Sequence, residues 1–179
     1  MGPARSFGLL ITLLASLQAT TLERLSLDDM TAKSTAIVDG RVLSSYVIQN
    51  GPLIFTHFKV QVLEQWKGVS AAEVDVAVPG GMLGRKTQTV AGAPALQAGT
   101  EYIFFLWTGK SDITQIIGLS QGVMGVTTTS AGTKTVNRAA PSDAMVDSSG
   151  RPAQASGFQM SLSDLRSRVA QTLVAGAKR

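Results

Sequence analysis

The sequence contains no cysteine, a single histidine and few aromatics, which make up 6% of its 179 residues. The missing cysteine excludes disulfides, thiol chemistry, a lipid-modified N-terminal cysteine and cysteine-ligated metal. With one histidine, every other protein ligand of a zinc ion would have to be a carboxylate, an unusual donor set. Charge is sparse too: 16 Lys and Arg stand against 12 Asp and Glu, scattered without a basic run. That pattern gives no footprint for nucleic acid. Long apolar runs are also absent. The longest, Phe7 to Leu17, is about 11 residues, short of the roughly 20 that cross a bilayer as a helix.

That run has the layout of a secretory signal. Arg5 supplies a positive start, Phe7 to Leu17 the apolar centre, and Ala19 the small residue at the cleavage position. Removal of residues 1–19 predicts a secreted or periplasmic protein without a membrane span. About 160 residues remain, enough for one domain whose core needs no covalent staples.

Within that domain, Ser26-Leu-Asp-Asp29 predicts a short helix through a capping box, with Leu25 and Met30 placed for a hydrophobic staple and an end by Ser34. Strands follow. Ala36, Val38, Gly40 and Val42 alternate with Asp39 and Arg41, and Gly40 marks a bulge or a close backbone crossing. After the turn Asn50-Gly51-Pro52, residues Ile54, Phe58, Val60, Val62 and Trp66 share one face, with His57 and Lys59 on the other. Val74, Val76 and Val78 alternate until Pro79-Gly80-Gly81 stops the run, and a poor strand fits Thr87 to Val90. Glu101 to Trp107 is apolar on both faces, which suits a central, covered strand. Ile113–Leu119 and Val123–Thr129 read as a further pair. Residues 139–157 read as a loop or linker. Residues 158–179 predict a final amphipathic helix, capped by Ser161 and Asp164 and stapled by Met160 and Leu165. Its stripe of Leu162, Leu165, Val169 and Leu173 would dock on the sheet. The expected fold is therefore mainly β: a small antiparallel, OB-like barrel over residues 20–138, with a short N-terminal helix and a C-terminal amphipathic helix packed on it.

The strand residues Ala36-Ile-Val-Asp-Gly-Arg-Val42, Phe58-Lys-Val-Gln-Val-Leu-Glu-Gln-Trp-Lys-Gly68, Val74-Asp-Val-Ala-Val-Pro-Gly-Gly81 and Gly99-Thr-Glu-Tyr-Ile-Phe-Phe-Leu-Trp107 resemble an uncharacterised group of exported bacterial proteins. More distantly, the order is similar to the OB-type barrel of netrin-like modules and tissue inhibitors of metalloproteinases, over about Leu25 to Met124. The resemblance implies fold. Those inhibitors ligate their enzyme's zinc through an N-terminal cysteine, and this chain has none.

Six motifs invite chemistry. Gly118-Leu-Ser120-Gln-Gly122 is a literal G-x-S-x-G, yet a β-type run follows it where a helix is needed, and the one histidine, His57, lies upstream. A β-turn accounts for it better. Gly109-Lys110-Ser111 ends like a phosphate loop, but Phe104 sits where that motif's first glycine belongs. Asp143 and Asp147 fit no calcium-loop spacing, and Asp28 with Asp29 is explained by capping. Trp66 and Trp107 are assigned to packing ahead of an aromatic binding face. The turn Pro79-Gly80-Gly81-Met-Leu-Gly84-Arg85 remains, with Gly80, Gly81 and Arg85 as binding candidates: glycines admit a ligand close to the backbone, and Arg85 can pair an anion. No catalytic residue, metal ligand or cofactor is assigned. The expected function is an exported, non-enzymatic binding or accessory domain for a protein or glycan. The alternatives are a peptidase-regulatory, inhibitor-like protein and an exported serine hydrolase using Ser120.

Overall fold

The computed structural model describes residues 22–68, 70–140, 144–154 and 156–177; the signal sequence read at 1–19 lies outside them, as does Asp143. The protein is mainly β, with two helices. β1 (Leu22–Glu23) leads into α1 (Leu27–Lys33), whose Ser26 hydroxyl accepts from the Asp29 N–H while the Asp29 carboxylate accepts from the Ser26 N–H. Next come β2 (Ala36–Asn50) and β3 (Leu53–Lys67), joined through Gly51, whose φ of 58° suits the tight reversal. β4 (Glu73–Pro79), the small hairpin β5 (Gly81–Leu83) and β6 (Lys86–Gln88), β7 (Glu101–Thr108) and β8 (Thr114–Ile116) follow. A 3-10 turn at Leu119–Gly122 precedes β9 (Val123–Thr128) and β10 (Lys134–Arg138).

One sheet carries most of these strands, in the order β10–β9–β7–β2–β3–β4–β8. β8 also pairs with β7 at Leu106–Thr108, so the ladder β7–β2–β3–β4–β8 returns to its own start. β7 shares one edge between two partners: β9 against Tyr102–Phe104 and β8 beyond it. Alternation then divides the core. Phe104 and Leu106 point to a cluster with Val38, Val42, Phe58, Val60 and Val76, while Ile103 and Phe105 point to a second cluster with Ile37, Met124 and Val136 beneath the helices. All four of these β7 residues are fully buried. That double burial is what the apolar run implies over Ile103 to Leu106, while Trp107, assigned to packing, is 47% exposed.

The expected inward set holds for Phe58, Val60, Val76 and Phe104, with Val62 and Val74 partly buried beside them. Ile54 is buried elsewhere, next to Gly81. Trp66 departs from the expected face. The β2–β3 register skips at Leu63, between Gly40↔Val62 and Asp39↔Glu64, so an inserted residue turns Glu64 and Trp66 to the helix side. Gly40 stands where a Cβ would meet Val60 Cγ1 at 2.5 Å, so the two strands cross too closely there for a side chain.

The C-terminal segment differs from a helix spanning residues 158–179. Its first residues form β13 (Phe158–Ser161), which pairs antiparallel with β10 and widens the sheet; α2 runs Leu162–Ala177. Phe158 and Met160 alternate into the second cluster, a period of two that favours strand up to the Ser161 cap. Ser161 accepts the Asp164 N–H at 3.0 Å. Leu165 and Val169 are buried, with Leu162 and Leu173 partly so, and the stripe docks on the sheet beside α1. Within the stretch read as loop, the described residues also hold order: β11 (Met145–Val146) pairs parallel with β1 and antiparallel with β12 (Pro152–Ala153). Met145 is buried, which is why so short a strand holds its place.

Candidate functional site

Gly80 and Gly81 lie where β4 turns into the β5–β6 hairpin, and both conformations exclude a side chain. Gly80 has φ 100° and Gly81 139°; a Cβ on the first would meet Gln88 O at 2.9 Å and on the second Thr56 Oγ1 at 2.5 Å. Freed of that obstacle, the hairpin folds back over the end of β3. Gly80 N–H donates to Ile54 O, Thr56 Oγ1 donates to Gly80 O, and Ile54 N–H donates to Gln88 Oε1 at 2.6 Å. Between this hairpin and the segment Ala93–Leu96 runs a groove of about 450 Å³, lined by Phe58, Val78, Met82, Val90 and Leu96 among others. Met82 stands at its rim, 68% exposed. Arg85 lies beyond the groove, exposed in the β5–β6 turn. The structure thus joins two of the three candidates to a cavity and leaves the cation outside it.

Ala93–Leu96 is also one wall of a second groove, of about 410 Å³, reached by Ser120, Tyr102 and Arg138. Ser120 sits in the 3-10 turn entered through Gly118 at φ 62°, and its N–H donates to Gly92 O. The turn leads directly into β9, so the strand–elbow–helix that raises a nucleophile is not formed. Arg138 donates to Gln121 O, and its guanidinium lies 5.9 Å from the Phe158 ring. Burial and the nearby Arg24 charge lower its pKa. His57 is elsewhere, on the outward face of β3 opposite Tyr46 and Ala77. We therefore expect fluorophosphonate labelling of the purified protein at background. Specific labelling that disappears in Ser120→Ala would establish the serine as a nucleophile.

The sequence sets His57 on the outward face of its strand, and the structure places it there in a cluster. Its Nδ1 is 2.6 Å from Asp75 Oδ1, its ring stacks on Tyr46 with centroids 5.1 Å apart, and Tyr46 Oη donates to Asp75 Oδ2 at 2.7 Å. Lys59 Nζ completes the set, 2.9 Å from Asp75 Oδ2. Burial alone would raise the Asp75 carboxyl, but the hydrogen bonds from Lys59, Tyr46 and His57 outweigh it and hold the group below its ordinary value. The same bonds raise Tyr46 and Lys59. Every partner of Asp75 here comes from neighbouring strands on one outward face, so the cluster clamps β2, β3 and β4 together. A signal was present: His57 and Lys59 on β3 and Asp75 on β4 all fall in the outward register.

A third polar group surrounds a buried carboxylate on β2. Asp39 is 4% exposed and its Oδ1 lacks a hydrogen-bond partner. Glu101, Glu64 and Lys134 surround it; Glu101 is bound by Lys134 at 2.6 Å and Arg41 at 3.3 Å, and Glu64 by Arg166. Burial, then the Glu101 charge, pushes Asp39 up to about 6. Asp147 is the opposite case: hydrogen bonds from Ser149 and Arg151 within its own turn hold it down at about 2. Those bonds occupy the carboxylate locally. Among the described residues no group of three or more His, Asp or Glu side chains is arranged to hold a metal. Asp28 accepts from Thr172 of α2, and Asp29 is used in the cap.

No family model, curated protein or solved structure matches the chain. Its function is therefore argued from these grooves and clusters.

Proposed function

We propose that this is an exported binding module on an OB-like barrel, which accommodates an apolar segment of a partner protein in the groove beneath the β5–β6 hairpin. The ladder that returns through β8 to β7, with β4 and β8 parallel and the other contacts antiparallel, supports the barrel reading and the distant resemblance to netrin-like modules. The carrying observation for binding is the groove itself. It is concave, apolar and bordered by an exposed methionine, a side chain that adapts to varied apolar partners. This lining suits protein side chains better than the hydroxyls of a glycan. A partner peptidase regulated through this groove is one form of the same reading, and none of it requires a cofactor. The single experiment is photocrosslinking in the native host from position 82, with Arg168 on the exposed side of α2 as control. One adduct of defined mass from position 82 and none from position 168 is the expected result; no adduct at 82 sinks the reading. The export half is tested separately by N-terminal sequencing of the extracytoplasmic protein, which should begin near Thr20.

A further inference from the structure

β2 is longer than the partners on one of its sides. β3 pairs with it to Asn50, but β7 pairs only as far as Arg41, and the last bonds on that side are Val42 N–H to Thr100 O and Gly99 N–H to Val42 O. Beyond them the outer edge of Ser44–Asn50 is bare. Which groups face outward follows from β3. Ile54 directs its N–H to Gln88 and its carbonyl to Gly80, both away from β2, so Phe55, His57 and Lys59 face β2 instead. Their partners Ile48, Tyr46 and Ser44 spend their backbone groups on β3. The N–H and C=O groups of Ser45, Val47 and Gln49 therefore point outward, and no described residue bonds them. Ser44 to Asn50 contains none of the charges or prolines that usually guard an edge, the bulge at Leu43 lies before it, and Lys86 reaches only the Gln49 side chain.

We propose that this edge pairs antiparallel with the same edge of a second copy of the chain. An extended polypeptide is the chemistry that satisfies alternating amides and carbonyls along a strand, and the edge is complementary to itself. With Val47 on the two-fold axis, Val47 opposes Val47, and Ser45 opposes Gln49 at both ends, so all three outward residues fall in hydrogen-bonded pairs. In that register Tyr46 of one copy faces Ile48 of the other. These are the two large exposed side chains of the edge, 41% and 39% accessible, and each covers its counterpart. Ser44 meets Asn50, polar against polar. Moving the register by two residues instead sets Tyr46 against Tyr46 and Ile48 against Ser44.

The absence of cysteine makes the test clean. In Val47→Cys the only thiols of two paired copies would face each other with Cα atoms about 5.5 Å apart, inside the disulfide range. Sedimentation of the purified protein should show its mass rising from one chain toward two with concentration. Mild oxidation should trap Val47→Cys as a covalent dimer and leave Ser44→Cys uncrosslinked. Ile48→Lys, with an unchanged melting temperature, should remain monomeric at every concentration, as should Val47→Pro, which removes an outward N–H alone. A wild-type chain that stays monomeric overturns the proposal, even if a strand of some other protein occupies the edge. So does a dimer that survives Ile48→Lys or leaves Val47→Cys uncrosslinked.

Discussion

Phe104→Ala should lower the unfolding free energy by about 3–5 kcal/mol, a large share of the ~5–15 kcal/mol typical of a domain. Phe104 is fully buried in the cluster enclosed by the returning ladder, among Val38, Phe58, Val60 and Val76, where the backbone cannot collapse to fill the space. Phe105→Ala should cost a similar ~3–5 kcal/mol through the other face of the same strand, where Ile37, Met124, Leu165 and Val169 enclose the ring. The cavities open into different clusters but share one stretch of β7 backbone, so any departure of the double variant from the sum of the two measures coupling through that strand. Urea denaturation followed by circular dichroism measures all three. A Phe105→Ala cost below ~1 kcal/mol would show that α2 is not docked on that face.

Asp39→Asn should raise stability above pH 6 and flatten its pH dependence. The folded protein holds the Asp39 proton more tightly than the unfolded chain, since burial and Glu101 raise its pKa from 3.8 to about 6. The stabilisation linked to that proton is complete below pH 3.8 and is lost as pH rises through about 6. The loss is on the order of 1–3 kcal/mol, from a shift of this size. When protonated, Asp39 can donate to Glu101; when ionised, it leaves a buried oxygen without a donor beside a second carboxylate. Lys134 moderates this repulsion, while Arg41 and Lys134 bind Glu101 and Arg166 holds Glu64. Asparagine supplies the donor at every pH. Melting curves at pH 4.5, 6 and 7.5 decide the matter: equal pH slopes in the two proteins would refute the assignment.

The parts of the fold that were legible are those where a local rule has a single outcome. Ser26 and Ser161 declare helix starts because a hydroxyl followed three residues later by a carboxylate suits little else. Ile103 to Leu106 declares its double burial by composition alone, whereas the same reading fails at Trp107 beyond it, which is exposed. Alternation, in contrast, reports face only while the register is unbroken. The insertion at Leu63 is invisible in sequence, and it carries Trp66 to the opposite face. Val136 is fully buried, yet β10 has too little apolar pattern around it to mark a strand; β9 and β13 impose it from either side. The site was less legible than the fold. Gly80 and Gly81 announce a close approach, but their neighbours turn out to be Gln88 and Thr56, and the groove arises from the folded-back hairpin. Asp39 reads as an ordinary outward carboxylate until Glu101, Glu64 and Lys134 surround it, on the face it shares with Ile37 and that α2, from the far end of the sequence, roofs with Leu165 and Val169.

That late arrival bears on how the chain is made. Synthesis delivers residues in order, and Ile103 and Phe105 emerge well before Leu165 and Val169, which roof them. Through that interval the strand at the centre of the sheet can bury Phe104 and Leu106 against earlier strands, while its other side stays bare to whatever is near. The nascent protein thus has a sticky period set by sequence order rather than by final stability. Conditions that slow its completion should favour aggregation, or demand a holdase, even for a chain whose finished form is robust.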